Sequence, residues 1–283
     1  MVPRTRGQDG RVQSARGAAR RRAYACGMCQ LLGMNANTPT DAMFSFTGLA
    51  TRADEHKDGF GIAFFEDRGL RLFVDQHSAR ISPVAELVQG YPIRSDNVIA
   101  HIRKATQGRI ALENTHPFMR ELWGRYWVFA HNGDLKDFRP RLHGQFRPVG
   151  DTDSEHAFCW LMQELTKAHA GVPAIGELSN TLSELMPQLH RHGTFNMLLS
   201  NGQALWAHCS TRLHWIVRQQ PFGAAVLADK DVMVDFSAHT RPDDRVAIVA
   251  TEPLTRNEPW QAMAPGQLLA FNAGGLMPQR ASR

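Results

Sequence analysis

Nine short runs rich in β-branched and aromatic residues, bounded by Gly, Asp or Asn, restrict this chain to folds assembled from short strands. They fall at 30–34, 59–65, 70–74, 97–102, 127–131, 194–200, 205–209, 214–218 and 246–251. Two segments carry helical periodicity instead. One spans 153–167, with Ala157, Phe158, Trp160, Leu161 and Leu165 on one face, and is opened by the cap signal Thr152-Asp-Ser-Glu155. The other spans 173–189, with Ile175, Leu178, Leu182, Leu185 and Leu189 at helical spacing. Strands outnumber helices, and Asn201-Gly202 is a hairpin signal. An α+β arrangement with antiparallel sheets is expected.

The 283 residues suffice for one sizeable core, and no composition shift after residue 29 calls for a second domain. The longest apolar runs, such as Val246–Ala250, fall far short of the ~20 residues that span a bilayer, so no membrane partner is expected. A pI near 9.3 would suggest nucleic acid, but the location of the charge argues otherwise. Seven Arg lie within residues 1–27 against a single acid, Asp9, and the whole chain is only +5. The body is therefore close to neutral and lacks the basic stripe of a nucleic-acid binder. Of four cysteines, only Cys26 and Cys29 share a C-x₂-C spacing, with no second half. Neither a zinc site nor a disulfide framework is expected, and reduced thiols point to the cytoplasm.

Residues 1–28 form a basic extension without apolar periodicity, too polar to offset the entropy of ordering. They also lack the apolar core of a signal peptide. At Met28-Cys29 the character changes at once into a strand-like run. Met28 reads as the initiator, and its removal before a small residue would leave Cys29 with a free amine. The expected domains are thus an extension over 1–28 and a single domain over 29–283.

Four segments carry chemistry, in this order: Met28-Cys29; Ala100-His-Ile-Arg-Lys-Ala-Thr-Gln-Gly108; Asn114-Thr-His-Pro117 followed by Ala130-His-Asn-Gly133; and Gly150-Asp-Thr-Asp-Ser-Glu155. Their order and spacing resemble the class II glutamine amidotransferases, and in particular their stand-alone, single-domain bacterial group. The motifs cover roughly residues 29 to 158. The resemblance implies the four-layer αββα sandwich of N-terminal-nucleophile hydrolases, and an enzyme that hydrolyses the γ-amide of glutamine, or of a related γ-glutamyl compound, without a cofactor or metal. It implies Cys29 as nucleophile and Asn132 with Gly133 as the oxyanion hole. It further implies Arg103 and Thr106 at the substrate carboxylate and Asp153 at its ammonium.

Elementary chemistry fits these roles. A thiol of pKa about 8.5 needs a base, and an α-amine of pKa about 8 titrates near working pH whereas lysine does not. A planar guanidinium offers paired bonds to a carboxylate. His116 and His131 read as hydrogen-bonded framework histidines, and Cys159 and Cys209 as buried apolar residues. Two features depart from the family pattern. Lys104 and Gln107 stand where many members carry Trp and His that help cover bound glutamine. No synthase motif follows the amidotransferase-like region, so ammonia would pass to a separate acceptor subunit, or the chain would act alone. A non-catalytic amino-acid sensor or regulatory subunit is the competing reading.

Overall fold

A computed structural model describes residues 29–54, 58–104 and 109–278. The 1–28 extension, Thr106 and Gln107 lie outside them. The chain enters through β1 (Gln30–Asp41) and α1 (Met43–Ala50). The hairpin β2 (Phe60–Glu66) and β3 (Gly69–Asp75) leads through α2 (Pro83–Gly90) to β4 (Arg94–Ile102). A second hairpin, β5 (Phe118–Leu122) and β6 (Arg125–Leu135), precedes the helices α3 (Asp153–Ala168) and α4 (Ile175–His190). Then come β7 (Gly193–Ser200), β8 (Ala204–His208), β9 (His214–Arg218), β10 (Ala224–Val226) and β11 (Met233–Asp235). The chain closes with β12 (Val246–Ala250), β13 (Gln261–Ala262), β14 (Leu268–Asn272) and β15 (Gly275–Leu276).

The strands form a seven-stranded sheet ordered β13-β9-β12-β1-β4-β2-β3, a six-stranded sheet ordered β15-β14-β8-β7-β6-β5, and a small β10-β11 ribbon. The large sheets stack, and alternation along each strand decides which core a residue enters. In β1, Leu31 points between the sheets while Leu32 and Met34 face α1 and α2. In β6, Val128 and Ala130 point between the sheets while Trp127 and Phe129 face α3 and α4. Both faces are buried, which is why these strands read as continuous apolar runs rather than alternating ones. Three cores thus separate four layers, and the αββα sandwich expected from the sequence is the fold.

Close packing between the sheets fixes some residues by size. A Cβ on Gly33 would sit 2.9 Å from Leu205 Cδ2 and 3.1 Å from Leu198 Cδ1, so a side chain there would displace these leucines from the space between β1 and β8. On the helix side, Trp127 stacks on Trp206 and Phe129 on Phe158, with ring centroids 6.1 and 5.0 Å apart. Cys159 and Cys209 are fully buried apolar residues, as expected. Helix α3 starts where the cap signal placed it: Thr152 Oγ1 accepts the Glu155 N–H at 3.3 Å. Glu155 does not complete the reciprocal capping box; its carboxylate takes the Val149 and Gly150 N–H groups and the Arg120 guanidinium. Asn201 closes the β7–β8 hairpin by accepting the Gln203 and Ala204 N–H groups.

His208, 1% exposed beneath the end of α4, has neither ring nitrogen hydrogen-bonded among the described residues. Burial, then the nearby His190, pulls its pKa down to about 4, and the Gln267 carbonyl offsets only part of this. The unfolded chain protonates this imidazole near pH 6.5 and the folded chain near 4. His208 therefore adds no pH-dependent cost above pH 6.5 and destabilises progressively as pH falls toward 4, by at most roughly 3 kcal/mol. Urea unfolding at pH 7.5, 5.5 and 4 will show this loss, and His208→Leu will flatten it. An unchanged slope in that variant would remove His208 from the account.

Candidate active site

Cys29 immediately precedes β1, and β4 runs antiparallel beside it with Gln30 opposite Ile102. Residues 103 and 104, just past β4, are thereby delivered to the cysteine. The Lys104 N–H donates to Cys29 Sγ at 3.1 Å, and the thiol reaches the Lys104 carbonyl at the same distance. From the other sheet, the Asn132 side-chain amide donates to the Cys29 carbonyl. The nucleophile candidate and the oxyanion candidate thus meet although they belong to different sheets.

Arg103 is 3% exposed, and its backbone is clamped by Gly59 and Asp58: its N–H donates to Gly59 O at 2.8 Å and its carbonyl accepts from Asp58. Burial lowers the pKa of its guanidinium, while Cys29, Asp58, Asp151 and Asp153 pull the other way. A buried cation is tolerated because these groups surround it. Nη1 of Arg103 donates to the Arg109 carbonyl at 3.3 Å. Asn114 ties the same loop to the start of α3, donating to Arg109 O at 3.0 Å and to Asp151 Oδ1 at 2.6 Å.

Asp153 is the first residue of α3 and is buried. Its Oδ2 accepts the Leu135 N–H at 2.7 Å, which fixes the end of β6 to the helix. Its Oδ1 lies 3.4 Å from the Ser154 hydroxyl. The residue therefore caps local backbone and presents charge to Arg103 together. Gly133 follows Asn132 on β6, and a Cβ there would come 1.9 Å from the Thr194 carbonyl. No side chain fits.

Burial pushes the Cys29 thiol above its ordinary pKa, and the Lys104 N–H and Arg103 counter this only in part. The thiol is therefore protonated at neutral pH and needs a base. The histidines do not supply one. His131 is held at both ends, with Nε2 donating to Thr194 O at 3.1 Å and Nδ1 accepting from Ser154 Oγ at 2.9 Å. Burial keeps it neutral against the opposing pull of Asp153. His131 is the framework histidine expected from the sequence. His116 is not hydrogen-bonded as expected: no partner for its ring lies among the described residues. It is instead packed between the rings of His101 and Phe118, tilted 48° and 52° to them at centroid distances of 4.4 and 4.5 Å. Burial, then the neighbouring His101, His131 and Arg103, any of which disfavours a second positive charge here, hold its pKa well below the ordinary value.

The sequence segments thus bring Cys29, Arg103, Asn132, Gly133 and Asp153 to one place, where β1 and β4 of one sheet meet β6 and α3 of the other. Four contributors were not foreseen: the backbone of Lys104, Asn114 with Asp151, Ser154 and Asn196. All but Asn196 sit inside quoted motifs. Asn196 gave one signal only, a polar residue in the middle of an apolar strand. Among the described residues no group of three or more His, Cys, Asp or Glu is arranged to hold a metal ion, and no helix is long and apolar enough to cross a membrane.

Two stacked antiparallel sheets with helices outside each, and a cysteine at the head of an inner strand, define the N-terminal-nucleophile hydrolase class. The sequence model of the class II glutamine amidotransferases matches residues 28–283. YafJ of Escherichia coli K12, assigned by name to the glutamine amidotransferases, is 53% identical over 251 residues, covering 87% of this chain and 98% of that one. A Pseudomonas aeruginosa protein assigned to the same group, with a 2.0 Å crystal structure, superposes with a TM-score of 0.72 at 41% identity, over 89% of this chain and 100% of that one. The glutamine phosphoribosylpyrophosphate amidotransferase of Bacillus subtilis shares the fold, with a TM-score of 0.56 at 18% identity over 89% of this chain and 49% of that one. The chain belongs to the class II glutamine amidotransferases. It is an amidohydrolase of that class, with Cys29 where the class carries its nucleophile.

Proposed function

We propose that the protein hydrolyses the γ-amide of glutamine, or of a related γ-glutamyl compound, with residues of this site in defined roles. The observation that carries the reading is the meeting of Asn132 with Cys29 beside a buried Arg103 that faces Asp153. Arg103 binds the substrate α-carboxylate and Asp153 the α-ammonium, so the two charges fix the amino-acid end. Thr106, outside the described residues, joins Arg103 at the carboxylate in this reading. The carbonyl carbon of the γ-amide then lies over sulfur.

The α-amine of Cys29 takes the thiol proton as sulfur adds to the carbonyl carbon of the γ-amide, since an amine of pKa about 8 is close to matched with the thiol. The carbonyl oxygen becomes an oxyanion, received by the Asn132 side-chain amide and the Gly133 N–H. Collapse breaks the carbon–nitrogen bond, the ammonium returns its proton, and ammonia leaves a γ-glutamyl thioester. Water adds to that thioester with the amine again as base, releasing glutamate and the thiol. These roles require Cys29 to begin the working chain, with residues 1–28 absent from it.

The amidophosphoribosyltransferases to which the chain is also similar support a glutaminase unit that pairs with a separate synthase subunit; that of Archaeoglobus fulgidus is 30% identical over 186 residues, 37% of its length. Lys104, in place of an apolar lid, favours an open mouth that admits a group on the γ-nitrogen. Isolated protein is therefore expected to show a higher kcat/KM for some γ-glutamyl amide or dipeptide than for glutamine, read as glutamate release. A clear preference for glutamine, rising when a partner protein is added, would replace the open pocket with an ammonia-donating subunit.

A further inference from the structure

We infer that Asn196, in the middle of β7, is the positioning residue that aims the oxyanion-binding N–H of Gly133 and ties it to the strand of the nucleophile. The inference rests on the roles given above to Asn132 and Gly133.

Asn196 is fully buried in a strand otherwise made of apolar residues, Phe195 before it and Met197, Leu198 and Leu199 after it. A buried amide is costly unless every polar atom is used. Its Oδ1 accepts the N–H groups of Ser210, Thr211 and Arg212 at 3.0, 3.0 and 3.2 Å. Its Nδ2 donates to the Asn132 carbonyl at 3.1 Å and to Thr211 Oγ1 at 2.8 Å. The oxygen therefore organises the loop after β8, and the nitrogen holds the backbone of β6.

That carbonyl belongs to the same peptide unit as the Gly133 N–H. A trans peptide is planar, so its C=O and N–H point in opposite directions and turn together. Fixing the Asn132 carbonyl toward β7 fixes the Gly133 N–H away from it. On that far side β5 pairs with β6 only from Leu122↔Arg125 to Phe118↔Phe129. Among the described residues no strand occupies that edge beyond Phe129, so the N–H is aimed at the site rather than into a ladder. Phe195, which faces Gly133, gives its own N–H to Ser210 Oγ at 2.7 Å and not to β6. The β6–β7 pairing runs on through Gly133↔Phe195 to Leu135↔Gly193, and the Phe195 N–H points to the opposite edge of β7, toward the loop after β8.

The loop leads back to the nucleophile. Arg212 pairs with Glu252, and the His214 ring donates to the Thr251 carbonyl at 3.0 Å. Thr251 in turn accepts the Leu31 N–H on its hydroxyl at 2.9 Å and donates its own N–H to the Leu31 carbonyl at 3.2 Å. Leu31 is two residues past Cys29. One continuous belt of hydrogen bonds thus registers β6 of one sheet against β1 of the other, with Asn196 where the belt reaches the oxyanion peptide.

Two variants separate the halves of this role. Asn196→Asp keeps an acceptor for the three loop N–H groups but loses the donor to Asn132 and sets a carboxylate against its carbonyl. Asn196→Ala loses both. Asn196→Asp should lower kcat for γ-amide hydrolysis by about 10²-fold, the scale of losing one oxyanion donor, with KM changed by less than about 3-fold. Its Tm should stay above that of Asn196→Ala although its kcat is no better. Should the carboxylate prevent folding, Asn196→Ser, neutral and too short to reach Asn132, makes the same test of kcat against KM. Wild-type kcat in either variant, or a loss that follows Tm and appears mainly in KM, would overturn the inference. Wild-type protein and Cys29→Ala run in parallel distinguish the two levels: an inactive wild type would defeat the proposed reaction, whereas an active wild type beside an unaffected Asn196→Asp would defeat only this role.

Discussion

Cys29→Ala will abolish γ-amide hydrolysis while leaving the fold and substrate binding in place. The thiol is half-buried, and its contacts are to the Lys104 backbone, which β4 already positions beside β1. The bond from Asn132 goes to the Cys29 carbonyl and survives the substitution. Arg103 keeps Asp58, Asp151 and Asp153 around it. Stability should therefore change by no more than about 1 kcal/mol. The chemical loss should be on the order of 10⁶-fold, the scale seen when a nucleophile is deleted, which in a glutamate-release assay is background. Calorimetry with the variant should still detect substrate. Arg103→Ala and Asp153→Ala should do the converse, raising KM for the amino-acid end. An amino-acid sensor would make the opposite forecast, with Cys29→Ala indistinguishable from wild type because nothing in a sensor depends on sulfur. Near-normal hydrolysis by Cys29→Ala would send the search to a histidine-centred site.

All nine strand-like runs became strands, because each carries enough apolar surface to enter one of the three cores whatever its neighbours do. What was missed depends on tertiary context. Helix α1 has the sequence Met-Phe-Ser-Phe-Thr-Gly-Leu-Ala, two turns with no charged face, and its N-cap side chain makes no hydrogen bond. Such a segment owes its helicity to packing of Phe46 and Leu49 on the outer face of the larger sheet. β14 reads Leu-Leu-Ala-Phe-Asn and shows neither period, since both its faces are buried. β5 carries Arg120 and Glu121 and looks like a surface turn until β6 pairs with it. At the site the motif residues were legible because their types are chemically demanding. The Lys104 peptide on sulfur was not, since any residue supplies the same N–H and C=O. His116 was misread for a related reason: an imidazole packed against other rings and a hydrogen-bonded one look alike until the third dimension is known.

Protein that retains residues 1–28 will be inactive, and activity will appear only when Cys29 carries a free amine. The base determines this. Burial holds the thiol protonated, and its hydrogen-bond partners are the N–H and carbonyl of Lys104, neither of which can accept a proton at working pH. Both nitrogens of His131 are engaged by Ser154 and Thr194, and the His116 ring is packed between His101 and Phe118. With Met28 attached, the nitrogen of Cys29 is an amide and has no basicity. With Met28 removed, it is an amine of pKa about 8, bonded within the same residue as the sulfur. Loss of general-base assistance alone costs about 10²–10⁴-fold. The measurement pairs two versions of the chain. One starts at Met28 and is checked by intact mass for loss of that methionine. The other carries a removable segment upstream of Cys29. The first should release glutamate. The second should be at least 10²-fold slower and recover after cleavage that exposes Cys29. An active species whose intact mass still includes residues 1–27 would show that the base is another group, and Asp58, which already acts on the thiol from nearby, would be the first to substitute.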